Sequence, residues 1–285
     1  MSRIAYVAGQ YVPHKHAAVH IEDRGYQFAD GVYEVIAVVG GKLVDQQPHI
    51  ERLKRSLSEL RIPMPMGEAA LKVVVREVVR RNAVDYGIIY LQVTRGAAPR
   101  EHAFPKAIKP TLVATAKNTK PPPPKFGRDG IAVITIPDIR WERCDIKSVA
   151  LVANVLGKQQ AREAGAYEAW QVGSDGMITE GTSTNAWIVT MDGAVVTRKA
   201  DHSILRGVTR GAVLDIIRSE GLEFVERPFS VDEAKAAREA FLTSTTAELL
   251  PVVIIDGAPV ANGKPGLLSE KLRAAYLAHA GVMAQ

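Results

Sequence analysis

Lys147 stands in CDIKSVALVANVLGKQ, residues 144–159, as one ammonium at the head of a run dominated by Val, Ala and Leu. An unpaired charge at the edge of a core is costly, and a desolvated lysine responds by losing its proton, which leaves an amine nucleophile. Such an amine condenses with carbonyl carbons to form Schiff bases. A long side chain at the end of a buried segment also snorkels back to water, so Lys147 alone does not decide the matter.

Other residue groups offer it partners. In HSILRGVTRGAVLDII, from His202, Gly207 leads into an apolar-periodic helix with Thr209 at its mouth and Arg206 and Arg210 beside it. Backbone N–H groups at a helix start, a hydroxyl and a guanidinium suit a phosphate, although an ordinary N-cap has the same composition. In FLTSTTAELL, residues 241–250, Thr243, Ser244, Thr245 and Thr246 form a hydroxyl run suited either to an oxyanion or to a solvated turn. Glu180, in ITEGTSTNAW, sits at a strand-to-turn junction. A carboxylate facing a heteroaromatic nitrogen keeps it protonated and makes the ring an electron sink; otherwise Glu180 is a surface residue of a turn. In the first half, Tyr33 lies in RGYQFADGVYEVI, and Arg100 and His102 in VTRGAAPREHAF. Two apart in extended backbone, Arg100 and His102 project the same way and with a phenol could hold a carboxylate. An Arg100–Glu101 pair on a loop fits the spacing equally well.

These residues need a scaffold. KNTKPPPPKFGRDG, residues 117–130, holds four consecutive prolines, from which we expect an extended connection without helix or ladder pairing. The expected division is therefore a small domain over 1–120, a linker over 121–129 and a large domain over 130–285. Before the linker, short strand patterns (IAYVAGQYV, VYEVIAVVGGKLV, IIYLQVTRG, TLVATAK) mix with two helical stripes. One stripe is Ile50, Leu53, Leu57 and Leu60, the other Leu71, Val74, Val75, Val78 and Val79. After it, strands (IAVITI, YEAWQV, NAWIVT, AVVT, LEFVERPF, LLPVVIID) recur around SDG, MDG and IDG turns. Helical patterns cover 149–164, 206–220 and 267–280. Hairpin-like runs with a few helices imply an α+β or barrel-like second domain, and no nucleotide-binding glycine motif follows a strand.

Composition narrows the function classes. With 285 residues, 47% hydrophobic and 24% charged, the chain has enough material for two domains with sizeable cores. The net charge of +5 is spread among 31 acidic residues without a basic block, which argues against nucleic acid. The single cysteine, Cys144, excludes an internal disulfide and a Cys-cluster metal site, so no metal is expected. No stretch approaches a membrane span, MSRIAYVAGQ lacks the order of a signal peptide, and the expected compartment is the cytoplasm.

The set RGYQFADGVYE, HIERL, VTRGAAPREHAF, RCDIKSV, AYEAW, TEGTSTN, ILRGVTR and TSTTAE resembles, in that order and from end to end, the fold-type IV pyridoxal-phosphate aminotransferases. The nearest likeness is to the bacterial D-amino-acid transaminases. The resemblance implies a two-domain α+β architecture, a small α/β N-terminal domain and a larger barrel-like C-terminal one. It also implies pyridoxal 5'-phosphate as cofactor and a homodimer with the active site between the domains. On that resemblance Lys147 forms the Schiff base with the cofactor and shuttles the proton, and Glu180 pairs with the pyridine nitrogen. Arg52, which periodicity alone makes a helix-surface charge beside Leu53, would bind the phosphate with Val208, Thr209, Ser244 and Thr245. Leu205 would press on the ring. Tyr33, Arg100 and His102 would hold the substrate α-carboxylate, the last two from the partner chain. Small amino acids and 2-oxo acids are the implied partners, in ping-pong turnover. Branched-chain L-aminotransferases and aminodeoxychorismate lyases share the lysine, glutamate and phosphate motifs, and Arg100-x-His102 with Tyr33 favours the D-specific group. A phosphate-ligand binding protein without catalysis is the reading from another class. His202, Cys144 and the C-terminal helix receive no role.

Overall fold

In the strand Gly31–Val39, Val32, Glu34, Ile36 and Val38 are buried while the residues between them are not, the period-two pattern of a sheet with one packed face. The computed structural model describes residues 3–107 and 109–282. It divides into two compact units, one of Met1–Pro121 with Ile146–Ala150, the other of Pro122–Asp145 with Leu151–Gln285.

The first unit contains β1 (Ile4–Val7), β2 (Gln10–Pro13), α1 (Arg24–Phe28), β3 (Gly31–Val39), β4 (Lys42–Leu43), α2 (Gln46–Glu59), α3 (Glu68–Arg81), β5 (Gly87–Thr94) and β6 (Thr111–Asn118). Its antiparallel sheet runs β2-β1-β6-β5-β3-β4. Both expected helical stripes are buried against it, except that Leu60 caps α2 half-buried. Leu53, Leu57, Leu71, Val75 and Val78 form the core with Ile36, Ile89 and Leu91. Each such side chain contributes about 1.5–3 kcal/mol through burial.

The second unit begins with α4 (Pro124–Arg128), in the stretch for which no helix was expected. The last of the four prolines occupies the first helical position, where a missing N–H costs nothing and φ is already set. There follow β7 (Ile131–Pro137), α5 (Val152–Glu163), β8 (Glu168–Val172), β9 (Ile178–Gly181), β10 (Asn185–Val189), β11 (Val195–Thr197) and α6 (Val208–Ser219). β12 (Phe224–Glu226), α7 (Val231–Ala236), β13 (Glu239–Ser244), β14 (Glu248–Ile255), β15 (Ala258–Pro259) and α8 (Leu267–His279) complete it. The sheet order is β12-β11-β10-β13-β14-β7-β8-β9, with β15 on β14. Hairpins do not make all of it. β7 is parallel to both β14 and β8, and β11 to β12. The β7–β8 connection contains α5, a crossover that parallel neighbours require. α6 and α8 pack on each other and on β13, over a core that includes Trp170, Phe229, Leu242 and Leu250.

The expected contiguous division differs from this one at residues 146–150, which carry Lys147 and are counted with the first unit because their backbone pairs with β3. Among the described residues no helix is long and apolar enough to cross a membrane, and no group of His, Cys, Asp and Glu could hold a metal ion.

Candidate active site

Lys147 is held through its backbone. Its carbonyl accepts from the Tyr33 N–H at 3.0 Å, the Val149 N–H donates to the Gly31 carbonyl at 3.0 Å, and the Lys147 N–H donates to Ser56 Oγ at 3.2 Å. Residues 146–150 thereby line the N-terminal part of β3, where β4, paired only with Val38 and Val39, does not reach. A Cβ on Gly31 would sit 2.8 Å from the Val93 carbonyl oxygen, so the strand approaches β5 at a distance that only glycine permits. The lysine side chain is half-buried, and its Nζ lies 4.2 Å from the centroid of the Tyr33 ring, which stacks on Tyr90. The apolar run after Lys147 is not core, contrary to expectation. α5 exposes Val152 by 74%, Val155 by 64% and Leu156 by 52%, and buries only Gly157 and Ala161. The reason is a close approach to the sheet through small residues, since a Cβ on Gly157 would meet Ile136 Cδ1 at 2.5 Å.

Next to Tyr33 but on the opposite face of β3, Glu34 is fully buried. Its Oε1 accepts from Arg52 Nε at 2.8 Å, and its Oε2 accepts from Arg52 Nη2 and lies against His49 Nδ1, both at 2.7 Å. Burial alone would push the Glu34 carboxyl up, but the Arg52 charge and its hydrogen bonds, with His49, bring it down to about 2. Burial is also the main reason that His49 is lowered; Glu34 opposes the shift, and the charges of Arg52 and Lys147 add to it. Arg52 is therefore an inward cation, not a surface charge. His49, Arg52 and Ser56 fall at i, i+3 and i+7 on α2, so one helix face supplies the imidazole, the guanidinium and the hydroxyl that holds the Lys147 N–H. Sequence reading missed Glu34 and His49. Their signal was a glutamate at a buried position of an alternating strand and a His-x-x-Arg spacing on a helix.

Arg100 and His102 lie on a loop, not on a strand. The loop still brings them to one place, with the Arg100 guanidinium 5.2 Å from the Phe28 ring centroid and the His102 ring 5.4 Å from it. The Glu101 carboxylate accepts from the His102 N–H at 2.8 Å.

In the second unit Glu180, at the end of β9, is buried and hydrogen-bonded to the Leu205 backbone. Oε1 accepts from Arg140 Nη1 at 2.5 Å, Oε2 from Asn185 Nδ2 at 2.9 Å, and the Leu205 N–H reaches the two oxygens at 3.1 and 3.2 Å. Asn185 also donates to the Leu205 carbonyl at 3.0 Å. Arg140 is held by both oxygens of Asp138 at 2.9 and 2.7 Å. Burial works against its charge, but the Asp138 bonds and Glu180 outweigh it and raise the guanidinium further. The turn between Glu180 and Asn185 is held by Glu168, whose two oxygens accept from Thr182 Oγ1 at 2.5 Å and Ser183 Oγ at 2.9 Å. Arg140 and Asn185 went unassigned in the sequence, although TEGTSTN contains Asn185 and PDIRW spaces Asp138 and Arg140 two apart.

Gly207 is the N-cap of α6 and no side chain caps the helix, whose first residues are Val208 and Thr209. A Cβ on Gly207 would lie 2.2 Å from Asn185 Oδ1. The Thr209 hydroxyl is 3.3 Å from that of Tyr276. Arg210 does not belong to this group, because its Nη2 donates to the Arg198 carbonyl and to Glu226. Of the four hydroxyls after Phe241, that of Thr243 accepts from Trp187 Nε1 inside the core. Ser244 and Thr245 are half-buried where β13 turns into β14, and Ser244 Oγ accepts from the Ala247 N–H at 3.0 Å. The register pairs Asn185 with Thr243, so β10 and β13 bring Asn185 and Ser244 to neighbouring positions. The Cys144 thiol donates to the Trp141 carbonyl and is pushed up to about 12 by burial, which disfavours the thiolate.

The model of the class IV amino-transferase family matches residues 31–255. The D-alanine aminotransferase of Bacillus licheniformis is 42% identical over 267 residues, 94% of this chain and 93% of that protein. That of Staphylococcus haemolyticus is 40% identical over 272 residues, 95% of each. Among solved structures, the Escherichia coli branched-chain amino acid aminotransferase, at 22% identity, shares the fold with a TM-score of 0.91 over 100% of this chain and 97% of that one. The branched-chain aminotransferase of the thermophilic archaeon Thermoproteus uzoniensis, solved with norvaline, shares it at 24% identity with a TM-score of 0.87 over 99% and 96% of the two chains. With the family match running through both units and the relatives covering nearly the whole chain, this α+β protein belongs to the class IV, or fold-type IV, aminotransferases.

Proposed function

We propose that this aminotransferase uses pyridoxal 5'-phosphate to move the amino group of D-amino acids to a 2-oxo acid, either 2-oxoglutarate or pyruvate. The observation that carries the D-specific reading is the 42% identity, over 94% of the chain, with a D-alanine aminotransferase. The side chains suit the cofactor. They include an amine at Lys147, a carboxylate at Glu180 that accepts from Arg140 and Asn185, a helix start at Val208 and Thr209 that no side chain caps, and turn hydroxyls at Ser244 and Thr245.

When bound, pyridoxal phosphate supplies an aldehyde carbon that amines attack and a ring that draws electron density from the substrate Cα. Lys147 Nζ is the proposed nucleophile toward that carbon and the base that takes the Cα proton and returns it. Glu180 would accept the ring N–H, and Leu205, whose backbone is hydrogen-bonded to Glu180 and Asn185, would lie against the ring. Val208, Thr209, Ser244 and Thr245 would donate to the phosphate, and Arg52, whose guanidinium plane Glu34 fixes, is the cation proposed for it. Tyr33, Arg100 and His102 hold the α-carboxylate. The face on which it is clamped decides whether a D or an L substrate presents its Cα–H to Lys147.

A homodimer in the cytoplasm is part of the proposal. In support, α5 leaves Val152, Val155 and Leu156 exposed in the single chain, an apolar surface suited to burial against a second copy.

The deciding experiment records the visible spectrum of the cofactor-loaded protein with D-alanine, D-glutamate or L-leucine in separate cuvettes. Loss of the yellow band with the D-acids alone is the expected result. Loss with L-leucine alone would move the enzyme to branched-chain L-substrates, and a spectrum indifferent to added pyridoxal phosphate would leave only a phosphate-binding protein. Lys147→Ala should fold, bind the cofactor without the yellow band and show no transamination.

A further inference from the structure

The loop that carries Arg100 and His102 is fastened by side chains with no role in the proton transfer. α1 places Arg24 and Phe28 four residues apart. Arg24, 3% exposed, donates from Nη1 to the carbonyls of Glu101 at 2.5 Å and Ala103 at 3.4 Å, and from Nη2 to that of His102 at 3.3 Å. Three consecutive loop carbonyls thus converge on one guanidinium. Its Cζ lies 4.8 Å from the centroid of the Phe28 ring, the ring that also receives Arg100 and His102. Arg24 Nε donates to Asp30 Oδ2 at 2.8 Å, and Asp30 is shared with Arg95, whose Nε and Nη2 donate to it at 2.7 and 3.0 Å. Arg95 in turn donates to the carbonyls of Leu60 and Arg61, and its Cζ lies 3.7 Å from the centroid of the Phe104 ring. The loop is therefore gripped through its backbone at residues 101–103 and through a ring at 104.

Stability alone does not account for such a cluster, because replacing a buried ion-pair group by packed apolar residues is often neutral or stabilising. What hydrogen-bonded guanidinium groups add is a fixed geometry for the segment they hold. We propose that Arg24 and Phe28 are positioning residues for substrate recognition, holding the 100–104 loop in the one conformation that presents Arg100 and His102 together. The inference rests on the role given to Arg100 and His102 above, and it adds the device that sets their geometry.

Arg24→Lys keeps the charge but cannot reach three carbonyls, and Phe28→Leu removes the shared ring. Each should raise KM for D-alanine roughly ten- to a hundredfold while kcat and the affinity for pyridoxal phosphate stay within about twofold of the parent. Phe28→Tyr, which keeps the ring, should restore the parent KM, a rescue that a purely structural defect would not show. Should Arg24→Lys fail to fold, the half-buried Phe28 pair decides. Arg100→Ala serves as the reference. If it raises KM while Phe28→Leu and Arg24→Lys do not, the positioning role is overturned and the carboxylate site stands. If Arg100→Ala leaves KM unchanged, the carboxylate assignment itself is wrong and the inference falls with it.

Discussion

A carboxylate without exposed surface persists at Glu34 because a guanidinium and an imidazole face it, and this makes stability depend on pH in a definite direction. The Glu34 carboxyl lies at about 2 in the fold against an ordinary 4.5, so its contribution is complete above the latter and disappears as pH falls toward the former. The difference corresponds to about 3 kcal/mol. His49 acts in the same sense. It is lowered from an ordinary 6.5, so below that value the unfolded chain takes up the proton first and stability falls further. Urea midpoints measured between pH 3 and 7 should decline on the acid side in the parent, and in Glu34→Gln the part of the decline below about 4.5 should become shallower while that due to His49 remains; the substitution itself should cost about 3–5 kcal/mol by stranding Arg52. Arg140→Gln should cost a similar amount by leaving Asp138 and Glu180 unpaired, read as a drop in Tm, and should weaken pyridoxal-phosphate binding in a titration. Lys147 and Glu180 could be singled out as candidates in the sequence because their immediate neighbours form a pattern. Arg24 and Arg140 were not, because what they do lies far along the chain: Arg24 bonds residues 77 to 79 positions away, and Arg140 bonds Glu180 across 40.

The helices α2, α3, α6 and α8 could be read from their apolar period, and their ends fall within two residues of where the pattern stops. α1, α4 and α7, of five, five and six residues, show too few turns for a period to appear. α1 nevertheless carries Arg24 and Phe28, so one of the least legible elements holds the loop of Arg100 and His102. The start of α6 shows how tightly an element end is fitted to the site. Alanine is a poorer N-cap than glycine, and Gly207→Ala would also drive a methyl group into Asn185 Oδ1 and displace that side chain from Glu180 and Leu205. We expect a lower Tm and a loss of pyridoxal-phosphate affinity of roughly tenfold, the scale of one hydrogen bond to a charged group, measured by equilibrium titration.

For the whole molecule, the apolar face of α5 makes a prediction about assembly. Sedimentation should give a dimer for the parent, and Val155→Asp, a change at a position 64% exposed in the single chain, should shift it to a monomer that keeps its far-ultraviolet spectrum. The architecture as a whole was legible from alternating strands and helical stripes. The parallel pairs around β7 were not, because hairpin signals are local and crossover pairing is not.

The excursion of residues 146–150 also bears on how such a chain can be recombined. The chain leaves the second unit after Asp145, lends five residues to the edge of β3, and returns at Leu151. A gene cut at Pro121 therefore yields one piece whose β3 has lost the segment along its N-terminal part and another that carries the lysine without the Ser56 hydroxyl and the Gly31–Tyr33 backbone that hold it. Neither half keeps Lys147 in the backbone setting that holds it. Exchange of halves between relatives should succeed only when the lent segment and the part of β3 that receives it come from the same parent, which ties two distant parts of the gene into one unit of inheritance.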